Sequence, residues 1–444
     1  MILAEKLRRN VFWLMDSLKG GKVGKHYNEI KFIIENYHST EAADMRALNL
    51  LNLLNHAIET SPFYRKYKGF TSLNDFPVIN KISIRDKFKD LQSEEFRNKT
   101  NRTVRTSGSS GITTTTLQNA NRRRRNTADT IYFTKQAGFE LGYKLYYIRK
   151  WSKMHTKSPL VTWLRNIVMV DVSLFSDKYL SEFIDKLKSD GSTKVLLGYA
   201  SAYTEICKYL DRQKADPMDI KISCIIAMSE VLSDYTKKSL EKYFKTPVIS
   251  RYSNLENGIF SMQLPNQGNN FHVNWASYHI ELLHPENDTP VKYGELGRVV
   301  ITDLFNYCMP IVRYDTGDLA IMTNDHGFFN KAPAFTKVEG RKMDVLYDTK
   351  GKAQSSFMVF HLESYPEIKQ FQIIQDNKKE YTLKLNTDKE FHYEKELIDL
   401  YAYYLGSDAN IKIEYVNEIP QLSSGKRRLT VNNYILDKKL SVVN

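Results

Sequence analysis

The chain has 444 residues, of which 42% are hydrophobic, 26% charged and 12% aromatic. Glycine at 20 and proline at 12 are both scarce, which excludes collagen-like, linker-like and low-complexity chains and argues against extensive disorder. Lys plus Arg exceeds Asp plus Glu by 64 to 51; the net charge of +13 suits an anionic partner, though a Lys-, Asn-, Ile- and Tyr-rich composition alone gives the same excess.

Residues 1–60 read as helical. Arg8 and Arg9 lead into Val11, Phe12, Trp13, Leu14 and Met15, the start of a signal-like pattern, but Asp16 ends the apolar stretch short of the usual ~7–15 residues. No run approaches the ~20 apolar residues that span a bilayer. The expectation is therefore a cytoplasmic protein with at most peripheral membrane contact, through an amphipathic N-terminal helix. Leu48, Leu51, Leu54 and Ile58 recur at three- and four-residue intervals, a stripe that a helix can bury. Ser61-Pro62 breaks that helix, and Phe63-Tyr64 opens a loop toward Phe76-Pro77.

Helical patterns at 178–188 and 233–244 alternate with short β-rich runs, Lys194 to Leu197, Cys224 to Met228 and Val248 to Tyr252. This alternation predicts parallel βαβ units. After about residue 260 the texture changes to short strands with turns, at His279 to Leu283, Gly297 to Thr302 and Leu319 to Thr323, as in an antiparallel barrel or meander. Residues 345–444 read as a small α+β unit with strands at Phe371 to Ile374, Tyr381 to Leu385 and Ile411 to Val416. Cys207, Cys224 and Cys308 are odd in number and far apart, which fits a reducing compartment and neither a disulfide framework nor a zinc ribbon.

Five blocks carry candidate chemistry. Ser107-Gly108-Ser109-Ser110-Gly111 has two glycines that let successive backbone N–H groups face an anion, or it is a flexible connector. The run Arg122 to Arg125 after it adds positive potential or is a solvated helix face. Ser229-Glu230, and Tyr252 to Gly258 with Glu256, each follow a predicted buried strand, where open α/β sheets bind ligands. Tyr252 offers a face for stacking on a base and Glu256 a carboxylate for Mg²⁺; both also suit an ordinary turn. Asp318 closes a block that runs from Gly294-Glu295-Leu296-Gly297 to Arg313-Tyr314-Asp315-Thr316-Gly317-Asp318, and suits vicinal ribose hydroxyls or an Asx-type turn. Gly340-Arg341-Lys342-Met343-Asp344 and Ser423-Ser424-Gly425-Lys426-Arg427-Arg428 complete the set; Lys426 is a mobile cation or part of a basic surface turn. Eight of the 20 glycines (Gly108, Gly111, Gly258, Gly294, Gly297, Gly317, Gly340 and Gly425) lie in or beside these blocks.

Taken in order, these blocks resemble the adenylate-forming superfamily, with a nearer likeness to the phenylacetate–CoA ligase family and its CapK-like branch, which is linked to capsular and other surface polysaccharide synthesis. Ser61-Pro62-Phe63-Tyr64-Arg65, Asp75-Phe76-Pro77-Val78 and Leu197-Gly198-Tyr199-Ala200-Ser201 extend the likeness over most of the chain. The resemblance implies an α/β fold: a large N-terminal domain (1–344) of layered α/β subdomains with a β-barrel-like part, and a small mobile α+β lid (345–444) hinged at Asp344. It implies an ATP-dependent ligase that activates a small carboxylate as an acyl-adenylate and passes the acyl group to an acceptor. The acceptor would be the thiol of coenzyme A, a carrier-protein thiol, or an amine or hydroxyl of a sugar.

By that resemblance, Ser107, Gly108, Ser109, Ser110 and Gly111 cradle the ATP phosphates. Ser229 and Glu230 line the adenine pocket, with Tyr252 stacking nearby. Glu256 holds Mg²⁺, Asp318 takes the ribose hydroxyls, Arg341 contacts ribose or phosphate, and Lys426 bridges carboxylate and α-phosphate. The sequence departs from the pattern at Met343, where an acid often precedes the hinge residue, at Leu255, where Ser or Thr usually precedes the glutamate, and at Thr113, where many relatives have proline. Tyr143, Tyr147, Tyr199 and Tyr203 are acyl-pocket residues or core aromatics. Two other readings stand beside the ligase: a non-catalytic nucleotide-binding scaffold in polysaccharide assembly, and a nucleic-acid binder. The second lacks the basic stripe with interleaved aromatics that it needs.

Overall fold

The computed structural model describes residues 3–105, 114–151, 158–324, 331–341, 345–352, 354, 356–365, 367–387, 390–420 and 427–434. Three helices open the chain, α1 (Leu3–Leu18), α2 (Lys22–Glu35) and α3 (Thr40–Thr60). α3 buries Ala42, Leu53, Leu54, Ala57 and Thr60, whereas Leu48 and Leu51 face solvent. The expected stripe thus lies partly on the wrong side: the face that packs is the one carrying small Ala57 next to Leu53 and Leu54. α4 (Lys81–Asp86) starts at Asn80, whose side chain accepts from the N–H of Ile82 and Ser83. β1 (Arg102–Arg105) and β2 (Thr115–Gln118) pair antiparallel and lead into α5 (Ala120–Gln136).

The expected βαβ alternation follows: β3 (Lys144–Arg149), α6 (Pro159–Leu164), β4 (Ile167–Asp171), α7 (Asp177–Ser189), β5 (Lys194–Tyr199), α8 (Ala200–Arg212), β6 (Ile222–Met228), α9 (Asp234–Phe244) and β7 (Val248–Asn254). β5 is buried at every residue and β6 at all but one, the near-continuous apolar reading of strands covered on both faces. Ser176 and Ser233 cap α7 and α9 by accepting from the N–H of Tyr179 and Thr236.

The chain then turns back and forth through β8 (Gly258–Gln263), β9 (Phe271–Val273), β10 (Tyr278–Leu283), β11 (Leu296–Asp303), β12 (Tyr314–Thr323) and β13 (Ala334–Arg341). These antiparallel strands continue the parallel ones in a single eleven-stranded sheet of order β10-β11-β12-β13-β9-β8-β7-β6-β5-β3-β4. β7 is the junction, parallel to β6 and antiparallel to β8. One apolar core lies under the parallel half and a second under the antiparallel half, which also buries Tyr64, Phe76 and Ile79.

A third core, from Leu346 to Leu405, belongs to a separate four-stranded sheet of β14 (Ile368–Gln375), β15 (Glu380–Thr387), β16 (Asn410–Tyr415) and β17 (Thr430–Asn432), backed by α10 (Glu394–Leu405). Polar contacts seat this unit on α8 and α9. Lys208 donates to the Ile368 carbonyl at 2.6 Å, Ser233 donates to the Glu363 carboxylate, and Arg427 lies 3.6 Å from Glu205.

Burial raises the Glu363 pKa from 4.5 to about 7, against smaller downward pulls from the Ser233 hydroxyl and Lys208. A carboxyl whose pKa is raised by burial opposes that burial in its charged form. The seating is therefore strongest below pH 4.5 and weakens as pH rises through about 7. Fluorescence transfer between labels on the two units is expected to fall across this window in the native chain, and Glu363→Gln is expected to flatten the profile.

Candidate active site

β7 delivers Tyr252 to the place where strand direction reverses, and its continuation carries Glu256. The turn into β8 needs Gly258, which has φ +121° and where a Cβ would stand 2.3 Å from Asn126 Oδ1. Glu256 is only 3% exposed. Its Oε1 accepts from the Tyr314 hydroxyl at 3.4 Å and lies 3.6 Å from Lys81 Nζ, while its carbonyl takes the Gln118 side-chain amide at 2.8 Å.

A buried arginine braces this turn from below. Arg122, fully buried, donates from Nε to Asp303 Oδ2 at 2.5 Å and from Nη2 to the Asn257 carbonyl and the Tyr278 hydroxyl. Burial alone lowers the pKa of its guanidinium, but Asp303, Tyr278 and Asp129 outweigh burial and hold it above its ordinary value. Arg125 is equally buried, donating to Glu29, Ser277 and the Ala276 carbonyl. The reading of Arg122 to Arg125 as a solvated face or a source of positive potential is corrected for these two residues. The run alternates between inward residues that meet carboxylates and outward Arg123. Arg122 and Arg125 are thereby unavailable to nucleic-acid phosphates.

Asp318, on β12, accepts from the Tyr252 hydroxyl at 2.8 Å, and that hydroxyl also lies 3.2 Å from Thr316 Oγ1. Burial, then the Asp318 charge, pushes the Tyr252 phenol well above its usual pKa, so it remains a donor. The turn is held by side-chain acceptors: Asp315 Oδ1 accepts from the Gly317 N–H at 2.8 Å and Thr316 Oγ1 from the Asp318 N–H at 3.2 Å. Asp318 pairs in register with Arg341 on β13. Ser229, with φ +71°, ends β6, whose register sets Met228 against Arg251 beside Tyr252. Glu230 accepts from the N–H and the hydroxyl of Ser201 at 3.0 and 2.7 Å, so it is tied to the first turn of α8.

The structure thus joins Tyr252 to Asp318, and Glu256 to Tyr314, across the sheet junction. It ties Glu230 to Ser201, with no direct bond from Glu230 to Tyr252 or Glu256 among the described residues. Residues 107–111, Asp344 and Lys426 lie outside the described residues, as does the side chain of Arg341. Tyr203 is a core residue, its hydroxyl bonded to the Ile226 carbonyl; Tyr199 is also buried.

Sequence reasoning missed Lys81. It reaches Glu256 because Ile79 is hydrogen-bonded between Arg313 and Asp315, laying the 77–81 segment along the start of β12. It also missed Arg149 and Arg251, near the carboxyl ends of the parallel strands. Arg149 lies 5.6 Å from the Tyr147 ring centroid; Arg251 bonds the Tyr147 side chain and contacts Met228 Sδ at 3.0 Å. Neither forms an ion pair among the described residues, and Arg251 Nε is buried without a hydrogen-bond partner.

Among the described residues no three His, Cys, Asp or Glu side chains cluster as a metal site. A lone carboxylate such as Glu256 is nonetheless the donor set Mg²⁺ uses when phosphates and water complete its shell. The three cysteines are all buried, and burial pushes the Cys224 and Cys308 thiols up to about 12. No helix among the described residues is long and apolar enough to cross a membrane.

Comparison with known proteins identifies the fold. A 2-hydroxyisobutyryl-CoA ligase in its postadenylation state, bound to an acyl-AMP, superposes with a TM-score of 0.71 over 92% of this chain and 93% of that one, at 16% identity. The chain has the adenylate-forming ligase fold. The same ligase in its thioesterification state matches at 0.59, and ATP-bound MatB from Rhodopseudomonas palustris at 0.53 over 73% of this chain, with 17% and 15% identity and 94% and 66% of those chains covered. Residues 346–433 match the CapK C-terminal domain family. Protein CapK of Staphylococcus aureus is 25% identical over 95% of this chain and 96% of its own length.

Proposed function

We propose that the protein is an ATP-dependent ligase that activates a carboxylate as its acyl-adenylate, with release of pyrophosphate, and passes the acyl group to a nucleophile. The observation that carries this reading is the pairing of Tyr252 with Asp318, beside Glu256, at the sheet's switch point. There Asp318 would accept from the ribose hydroxyls, with Tyr252 fixing its carboxylate. Ser229, Glu230 and the backbone they turn would border the base, and residues 107–111 and Arg341 would face phosphate and ribose. Glu256 would hold Mg²⁺, which with bound ATP shields phosphate charge as the carboxylate oxygen approaches phosphorus. Lys81 would keep Glu256 oriented.

The unit beyond residue 344 would be the lid that delivers Lys426 for adenylation and withdraws it for transfer. The precedent is the 2-hydroxyisobutyryl-CoA ligase, which has separate postadenylation and thioesterification states; the chain superposes better on the first. Arg149 and Arg251 suit an acyl group with a second acid or hydroxyl. Coenzyme A is one acceptor; a carrier thiol or a sugar amine or hydroxyl is the alternative that the likeness to CapK favours, with a role in surface polysaccharide synthesis.

Removing a charged hydrogen-bond acceptor costs about 1.5–3 kcal/mol. Asp318→Ala is therefore expected to raise the ATP dissociation constant roughly 10- to 100-fold, read by titration calorimetry. Unchanged ATP affinity would take Asp318 out of the nucleotide site.

A further inference from the structure

α1 carries an apolar face that the other described residues leave bare. Leu3, Leu7, Val11, Leu14 and Leu18 fall within an arc of about 80° on a 3.6-residue helix. All five are exposed, Leu3 at 83% and Leu18 at 79%, with Met15 at their edge. The opposite side is spent on the protein. Glu5, only 1% exposed, accepts from the Thr193 N–H at 2.9 Å, and Asp16 accepts from the N–H groups of Val23 and Gly24 at 3.1 and 2.9 Å, starting α2.

Both acids of the helix are therefore turned inward, while Lys6 on one flank and Lys19 on the other stay exposed, followed by Lys22 and Lys25. Arg8 reaches from α1 to the ring of Trp163, 6.0 Å from its centroid. Trp163 is itself 67% exposed, with Leu160 and Leu164 beside it on α6. A second short helix thus extends the apolar face and adds an indole of the kind that sits at lipid headgroup depth.

From this pattern we propose that α1 and α6 form a docking face for an anionic lipid surface. The leucines enter the acyl boundary, Trp163 lies at headgroup level, and the flanking lysines meet lipid phosphates. An apolar stripe whose exposed charged neighbours on α1 are cations matches a negatively charged interface. A second copy of this face would set its own lysines against them. The face is built by elements remote from Tyr252, Glu256 and Asp318, so its use is independent of the proposed ligase chemistry.

The test is co-sedimentation of the full chain with sucrose-loaded phosphatidylcholine vesicles, plain or with about one third phosphatidylglycerol. The chain is expected to sediment with the anionic vesicles, to release at high salt, and to lose roughly tenfold in partitioning in Leu7→Gln/Leu14→Gln. Leu160→Gln/Trp163→Gln is a second, separate lesion, and thermal unfolding checks that both variants fold. Failure to bind anionic vesicles, or equal binding to plain ones, overturns the proposal. So does a concentration-dependent dimer that Leu7→Gln/Leu14→Gln dissolves, since the face would then be covered by another copy.

Discussion

Lys426→Ala is expected to slow adenylate formation by about 10²–10³-fold while leaving transfer from preformed acyl-adenylate close to native. The asymmetry follows from charge. In the first step two anions meet at phosphorus and negative charge builds on phosphoryl oxygens, so a positioned ammonium acts where the barrier is highest. In the second step a neutral or thiolate nucleophile displaces AMP, and a lysine carried away on a lid has no part in it. The role of Lys426 rests on the resemblance of Ser423-Ser424-Gly425-Lys426. Single-turnover measurement of each half-reaction separates the two steps. Equal losses in both would make Lys426 a general binding residue, and no loss in either would remove it from the chemistry.

Arg122→Met carries the largest expected effect on stability. The substitution removes the cation paired with buried Asp303 and the guanidinium 3.5 Å from buried Asp129, and leaves the Asn257 carbonyl only its bond from Tyr278. Breaking such a pair by removing one partner costs about 3–5 kcal/mol. A fall of roughly 4–7 °C in the unfolding temperature of the large unit follows. Because Asn257 adjoins Glu256, the variant is also expected to lose ATP affinity. Arg123→Ala, next door and exposed, should stay within about 0.5 kcal/mol of native. Similar melting curves for the two variants would mean that Arg122 does not brace the turn.

Much of the fold was readable because its signals are local. The runs at β5, β6 and β7 are apolar, short and bounded by helical patterns, so parallel units follow from composition and length. Ser229, Glu230, Tyr252, Glu256 and Asp318 stand out because each follows a strand or sits in a Gly-containing turn. What stayed hidden depends on partners far away in sequence. Nothing near Lys81 signals that Ile79 lies along β12, and nothing in Arg122 to Arg125 shows which members find buried carboxylates on β11 or α5. Leu48 and Leu51 have helical spacing, yet the helix buries its other side because tertiary packing chose it. Arg251 reads as one more basic residue until its strand places it against Tyr147.

The most direct test of the central claim is carboxylate-dependent exchange of labelled pyrophosphate into ATP, with hydroxylamine trapping of the acyl-adenylate. The panel should include simple acids and acids bearing a second carboxylate or hydroxyl. The account predicts exchange that requires Mg²⁺, is strongest with the polar acids, yields AMP and not ADP, and collapses in Lys426→Ala. An enzyme that binds ATP but supports no exchange with any carboxylate, or that releases ADP, would contradict it.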